Sequence, residues 1–223
     1  LSAVRLAMSH AACDVLGVGP FDEDALYENL DWLAHRQAAV EDKLFAQRTK
    51  AKSASLFLYD VTSSYLEGTH NELAAFGYNR DGKKGKRQIV IGLLCDDDGH
   101  PVSIEVFPGN TQDPQTVAAQ LNKIKARFGV TEITFVGDRG MIKGQQIEDL
   151  AQHGFHYITA ITKPQIEKLL RQGTLQMDLF DQAVAEVLAA EGIRYVLRRN
   201  PVRAQEARDT RQAKLATLQT LVA

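Results

Sequence analysis

Short apolar runs separated by polar turns alternate with stretches of helical spacing along the middle of the chain. Residues 55–62 (SLFLYDVT) form one such run, and its apolar character predicts a β-strand covered on both faces of a sheet. Residues 132–138 (EITFVGD) form a second run that also ends in an aspartate. The runs at 88–95 and 102–107 flank the sequence DDDG at 96–99, which predicts a hairpin with a plain turn.

Three stretches with apolar residues every three or four positions predict helices at 113–128, 143–153 and 165–171. A further apolar run at 155–162 predicts a strand. The predicted order is therefore a strand, a hairpin, and then alternating helices and strands that end on a helix. This order is typical of an α/β domain in which a mixed sheet carries helices on its faces.

Both ends of the chain follow other patterns. Residues 1–52 have helical spacing, and we interpret them as a helical segment packed on the main domain, with a DNA-contacting or partner-docking module as the alternative. Residues 183–198 predict two strands joined by a tight turn, and a basic helix follows. The predicted divisions are a helical segment at 1–52, the first part of a core domain at 53–176, and the start of a β-rich insertion with the basic helix at 177–223.

Charge is distributed unevenly along the 223 residues, although the formal net charge is only −2. Residues 194–223 carry six Arg and one Lys against two acidic residues, a net charge of +5, whereas residues 1–50 have a net charge of −3. The C-terminal segment is therefore the end that suits a polyanion. Cys13 and Cys95 form no disulfide framework or zinc spacing, which favours a reducing compartment such as the cytoplasm. No apolar stretch reaches the length of a membrane span.

The two apolar runs that end in Asp60 and Asp138 carry the candidate chemistry. A charge inside a covered sheet costs several kcal/mol unless it is paired or bound to a metal, so these carboxylates are expected where the strands open onto a site. Carboxylate oxygens are suitable ligands for Mg²⁺ or Mn²⁺, and a pair of such ions can support phosphoryl transfer. No phosphate-binding loop pattern is present in the sequence, so no nucleotide cofactor is implied.

Basic residues interleaved with glycine and aromatic residues fill the segment 76–87 (FGYNRDGKKGKR). Such a segment can reach phosphates and stack on a base, although a solvated hairpin tip has the same composition. The candidate DNA contacts are Arg80, Lys83, Lys84, Lys86 and Arg87 in this segment, with Arg198 and Arg199 in the basic C-terminal segment.

Four blocks of the sequence together resemble the DDE transposases of bacterial cut-and-paste insertion sequences. They are residues 58–65 (LYDVTSSY), 76–81 (FGYNRD), 107–113 (FPGNTQD) and 136–141 (VGDRGM), and residues 195–201 (YVLRRNP) extend the match. The resemblance implies a ribonuclease-H-like catalytic core that binds two divalent metals, Mg²⁺ or Mn²⁺. It also implies cleavage of transposon-end DNA with water and joining of the free 3′-hydroxyl to target DNA.

The resemblance assigns Asp60 and Asp138 as catalytic metal ligands and places Arg139 near the scissile DNA, with a surface ion pair as its alternative role. The implied partners are transposon-end DNA, target DNA and further copies of the chain in a transposition complex. The implied location is the bacterial cytoplasm, associated with the nucleoid when the protein is bound to DNA.

The family's third carboxylate is a glutamate on a later helix, within a pattern of Tyr, Arg, Glu and Lys at helical spacing, and this pattern is missing here. Glu186, Glu191 and Glu206 are poor substitutes. We therefore expect the chain, which starts at Leu1 and stops within a basic helix, to be a truncated transposase with feeble or absent catalysis. The alternatives are a non-catalytic DNA-binding remnant that interferes with an intact transposase, and a ribonuclease-H-like nuclease acting on hybrids or junctions.

Overall fold

The computed structural model describes residues 2–50, 55–78, 80–83 and 85–222. Its contacts divide the chain into two units, Leu1–Thr159 and Ala160–Ala223. The predicted divisions at residues 52 and 176 stay predictions. No described helix is both long enough and apolar enough to cross a membrane.

The first unit contains five helical segments and five strands. In chain order they are α1 (Ser2–Ser9), α2 (Ala12–Leu16), α3 (Glu23–Thr49), β1 (Leu56–Leu66), β2 (Arg87–Cys95), β3 (Pro101–Pro108), α4 (Asp113–Asn122) with a π-helical continuation (Lys123–Arg127), β4 (Thr134–Val136), α5 (Gly144–His153) and β5 (His156–Ile158). The predicted strands, hairpin and helices of this unit are therefore present.

The strands form one mixed sheet in the order β3-β2-β1-β4-β5. β1, β2 and β3 pair as an antiparallel meander, whereas β4 pairs parallel to β1 and β5 pairs parallel to β4. Parallel neighbours need crossover connections, and α4 and α5 lie in these connections. This arrangement confirms the predicted fold class, an α/β ribonuclease-H-like mixed sheet with flanking helices.

One face of the sheet is buried, and it forms the core of the first unit. Burial alternates along β1, where Phe57, Tyr59 and Val61 are buried while the residues between them are exposed. Side chains from the helices complete this core, among them Val117, Leu121, Ile124 and Leu150. The prediction that β1 is covered on both faces is wrong, because Leu58 and the polar positions after it face away from the core. A single exposed leucine is enough to make a one-sided strand look continuously apolar.

Helix α3 is joined to the edge strand β3 by its C-terminal half. Glu41 on α3 is only 4% exposed, and its carboxylate accepts hydrogen bonds from the Ser103 hydroxyl and the Ile104 amide of β3. Phe45, one turn later, stacks on Phe57 of β1. The N-terminal half of α3 lacks such burial, because Leu30 and Leu33, among others, remain largely exposed. The predicted packing of the helical segment on the main domain therefore holds for the C-terminal half of α3.

The second unit contains α6 (Lys163–Arg171), a short 3₁₀ helix (Met177–Asp181), β6 (Val184–Leu188), β7 (Arg194–Arg198) and α7 (Pro201–Val222). β6 and β7 pair antiparallel in a sheet of their own, as the pattern at 183–198 predicts. Gly192 closes the turn between them with φ +78° and donates its amide to Ala189. The basic helix predicted after these strands is α7.

Candidate active site

The pairing of β1 with β4 determines where the two predicted site carboxylates lie. Leu56 pairs with Thr134 and Leu58 with Val136 in parallel register. Asp60 and Asp138 follow these last partners by two residues on each chain segment, and the pairing itself ends at Leu58 and Val136. Neighbouring strands lie about 4.8 Å apart. Both aspartates are exposed, and each therefore lies two residues beyond the last residue that pairs between β1 and β4.

The turn after β4 fixes the carboxylate of Asp138. Its Oδ1 atom accepts hydrogen bonds from the amides of Gly140 at 2.7 Å and Met141 at 2.9 Å. A side chain on Gly140 would place its Cβ 3.0 Å from the same oxygen, so glycine leaves the room that this turn needs. Met141 and Ile142 are buried and tie the turn to the core. The turn within residues 136–141 thus holds the exposed Asp138 side chain in one orientation through two backbone hydrogen bonds.

Asp60 occupies the exposed face of the central strand. Its Oδ1 atom accepts a hydrogen bond from the Val61 amide at 2.8 Å, and its cross-strand partner on β2 is Leu93. On the opposite, covered face, burial raises the pKa of the neighbouring Tyr59 to about 12. Tyr59 therefore stays neutral at physiological pH and is no acid–base partner for Asp60.

Two carboxylates with hard oxygen atoms fit a magnesium ion, which commonly takes one or two protein carboxylates and keeps several water ligands. Within the described part of the chain, no group of three His, Cys, Asp or Glu side chains is placed to hold a metal. Glu186 and Glu206 lie in the second unit, where they pair with Arg194 and Arg203 respectively. Glu191 lies in the same unit, in the turn between β6 and β7. The described residues therefore offer two candidate carboxylates and no group of three metal ligands.

The side chain of Arg80 is largely buried and does not project into solvent. Its side chain is 17% exposed, and its guanidinium donates to the Ser63 hydroxyl at 2.6 Å and pairs with Asp113. Ser63 follows Asp60 by three residues on β1, and Asp113 begins α4. Arg80 thus ties the loop between β1 and β2 to the strand that carries the candidate site. The predicted contact of Arg80 with DNA stays a prediction. In the structure, the guanidinium of Arg80 has Ser63 and Asp113 as its partners.

The other predicted DNA contacts have varied surroundings. Lys86 pairs with Glu67, the ammonium of Lys83 lies 5.0 Å from the ring centroid of Tyr65, and Arg87 donates to the Thr69 carbonyl at 3.5 Å. Lys84 lies outside the described residues. Arg139 is exposed beside Asp138, and Arg198 and Arg199 lie at the end of β7, where Arg199 donates to the Asp181 carbonyl. Only Arg139 adjoins one of the two carboxylates in sequence.

Gln88 is a residue of this region that the sequence analysis missed. It is 1% exposed at the start of β2, and its side-chain amide donates to the carbonyls of Tyr78 at 3.0 Å and Gly109 at 2.8 Å. It thereby joins two of the sequence blocks, 76–81 and 107–113. In the sequence, Gln88 is marked only as a polar residue that begins an apolar run. That position does not indicate that its side chain binds the carbonyls of Tyr78 and Gly109.

A family model described as the transposase DDE domain matches residues 51–222. No curated protein matches the chain. Among solved structures, the chain is 10% identical to the Mos1 transposase in its paired-end complex with the left transposon end, covering 72% of this chain and 64% of that one with a TM-score of 0.33. It is 14% identical to a chain of the simian T-cell lymphotropic virus intasome in complex with the PP2A regulatory subunit B56 gamma, covering 56% and 45% with a TM-score of 0.29.

It is also 15% identical to the HTLV-2 integrase catalytic core domain in complex with magnesium, covering 56% of this chain and 77% of that one with a TM-score of 0.28. The chain spans 45% and 64% of the intasome and Mos1 chains, so it corresponds to part of their length. These structural similarities are too weak to specify a function. The family match covers more than three quarters of the sequence and includes both aspartate-bearing strands. The chain belongs to the transposase DDE domain family.

Proposed function

We propose that this chain binds DNA and takes part in metal-dependent cleavage and joining of transposon ends, with Asp60 and Asp138 as metal ligands. The observation that carries the proposal is the parallel pairing of β1 with β4, which ends two residues before each aspartate in a chain of the transposase DDE domain family. Asp60 and Asp138 would hold a divalent ion, which would supply Lewis-acid activation of an attacking oxygen.

The residues around the carboxylates have supporting roles in this proposal. Two backbone amides hold Asp138 in a fixed direction, which lowers the cost of placing it against an ion. Arg139 is exposed next to it and is positioned to contact a DNA phosphate. Because the described residues supply no third carboxylate, we expect the chain to be a slow catalyst by itself.

The proposed partners are transposon-end DNA, target DNA and further copies of the chain. The basic loop between β1 and β2 and the basic residues 194–214 would bind phosphates, so affinity should fall steeply with salt. The proposed location is the bacterial cytoplasm, in association with the nucleoid when the protein is bound to DNA.

Nicking of supercoiled plasmid in Mg²⁺ or Mn²⁺ tests the catalytic part of the proposal. We expect slow nicking by the unaltered chain and a fall of about 100-fold or more in Asp60→Asn and in Asp138→Asn, because each change removes a carboxylate ligand. Asp98→Asn is the matched control, since it removes the same charge from an exposed turn of the β2–β3 hairpin.

Nicking that both ligand variants retain would contradict the assignment of the site. Salt-dependent binding without nicking by the unaltered chain would overturn the catalytic role and favour the second candidate, a non-catalytic DNA-binding protein that interferes with an intact transposase. Stronger cleavage of RNA·DNA hybrids or four-way junctions than of duplex DNA would instead favour a ribonuclease-H-like nuclease.

A further inference from the structure

Two aromatic side chains project into solvent from the loop between β1 and β2. Phe76 is 63% exposed and Tyr78 is 77% exposed. Large aromatic rings carry much apolar surface and are usually buried at least in part, so two that stand exposed on either side of one glycine suggest a contact surface.

The backbone that carries these rings is tightly fixed. A Cβ atom on Gly77 would lie 1.9 Å from the Gly109 carbonyl oxygen, so the loop backbone packs directly on a neighbouring backbone. Gln88 holds the Tyr78 carbonyl, and the backbone of Ala75 exchanges hydrogen bonds with that of Gln88. The rings are therefore presented by a rigid support, which reduces the entropy lost when a ligand binds them.

One guanidinium lies near each of the two rings. The guanidinium of Arg87 lies 5.8 Å from the ring centroid of Phe76, and that of Arg80 lies 5.9 Å from the ring centroid of Tyr78. Residues 67–87 carry five basic and three acidic residues. Phe, Tyr and Arg are also enriched in protein–protein interfaces, but Lys is depleted there, and this loop carries the exposed Lys83 and Lys86 as well. Exposed aromatic faces in a basic segment are the usual means of binding single-stranded nucleic acid.

We propose that Phe76 and Tyr78 form a base-stacking platform for unpaired nucleotides of a DNA strand, with neighbouring cations on its phosphates. This inference depends on the proposed function, since it names the form of DNA that the chain prefers. Each ring would accept the face of a base without reading its identity, because every base has such a face. The expected substrate is a duplex whose end carries an unpaired strand.

Fluorescence anisotropy with three probes tests this platform. They are a blunt 30-base-pair duplex, the same duplex with a five-nucleotide thymidine tail, and the same duplex with a five-nucleotide uridine tail of RNA. The unaltered chain should bind the DNA-tailed duplex about tenfold or more tightly than the blunt one, and Phe76→Ala and Tyr78→Ala should each remove most of that preference. Tyr78→Phe should keep it, because the aromatic face remains.

Trp32→Ala is the matched control. Trp32 on α3 is 54% exposed, and the guanidinium of Arg36 lies 4.5 Å from its ring centroid, so it is an exposed aromatic residue with the same kind of cation beside it. Its removal should leave the preference for the tail unchanged. Quenching of 2-aminopurine placed in the tail, measured with the unaltered chain, gives a second readout that does not depend on how well a variant folds.

Equal binding of blunt and tailed duplexes would overturn the platform while leaving the proposed function intact, because duplex binding and nicking are measured separately. Retention of the preference by the double alanine variant, or an unquenched 2-aminopurine, would also overturn it. Tighter binding of the RNA tail would overturn the assignment to DNA. Failure to bind any of the probes would count against the proposed function as well.

Discussion

Replacement of Glu41 by alanine should lower the free energy of unfolding by about 3 kcal/mol, because it removes a buried acceptor of several hydrogen bonds. In that variant, Lys123 and Arg127 keep their pairs with Glu105 and Asp42. The Glu41 carboxylate receives hydrogen bonds from Arg127 at 2.7 Å and from Gln37 and Ser103 at 3.0 Å. Lys123, whose side chain is 12% exposed, lies 3.8 Å from it. The cluster joins α3, β3 and the π-helical turn after α4, so its loss should detach α3 from the sheet edge.

The pKa of Glu41 gives this prediction a pH dependence. Burial by itself would raise the pKa, but hydrogen bonds from Gln37, the Ile104 amide and Arg127, together with the charge of Lys123, lower it below the ordinary value. The stabilisation is therefore complete above the unfolded-state pKa of about 4.3 and is lost as the pH falls through the lower pKa of the folded state.

Urea denaturation followed by circular dichroism measures both effects. Glu28→Ala is the control, since Glu28 is an exposed acidic residue on the same helix and its removal should change stability by about 0.5 kcal/mol or less. A loss below about 1 kcal/mol for Glu41→Ala, or the same acid sensitivity in Glu41→Gln as in the unaltered chain, would show that the cluster contributes little.

Gly109→Ala should destabilise the protein by about 3 kcal/mol or more, because the new methyl group has only backbone to displace. Its Cβ would lie 1.8 Å from the Gln88 carbonyl oxygen and 2.6 Å from that of Ala75. Relief of this overlap requires separation of the two backbone segments that Ala75 and Gln88 join. The loop that carries Phe76 and Tyr78 should then lose its fixed position.

Limited proteolysis of the loop and urea denaturation together test this second prediction. Gly68→Ala is the matched control in the same connection between β1 and β2, since its Cβ would meet no atom within 4 Å. It should leave stability unchanged or raise it by about 0.4–1 kcal/mol. If Gly109→Ala unfolds at the same urea concentration as the unaltered chain and its loop resists protease equally, the close packing of Gly109 on the backbone of Ala75 and Gln88 does not contribute to stability.

Local sequence signals were enough to predict the strands and the hairpin and to single out the two aspartates as candidate site residues. The run before Asp60 and the run before Asp138 each carry their own apolar pattern, and the Asp-Gly turn at 98–99 needs only its neighbours in sequence. The parallel pairing of β1 with β4 joins residues 78 positions apart, as between Leu58 and Val136, and this register depends on the packed fold. The prediction that the strand ends at Asp60 is wrong, because β1 continues to Leu66 through polar residues that pair with β2.

The surroundings of Arg80 and Glu41 could not be predicted for the same reason, since they depend on contacts between residues far apart in the sequence. A basic loop residue such as Arg80 has the composition of a phosphate contact, but its partners Ser63 and Asp113 are 17 and 33 residues away in the sequence. Glu41 is one of several acidic residues in a helical segment of net negative charge, and only the approach of β3 makes it a buried anchor. Tertiary contacts of this kind leave no periodic pattern by which they could be recognised.

Manganese binding measured by electron paramagnetic resonance tests most directly whether Asp60 and Asp138 hold one metal ion. We expect Asp60→Asn and Asp138→Asn each to weaken manganese binding by about tenfold or more and the double variant to be little worse than either single variant. Asp98→Asn should bind manganese as the unaltered chain does. Unchanged manganese affinity in either ligand variant, or fully additive losses in the double variant, would contradict a shared ion at these two residues.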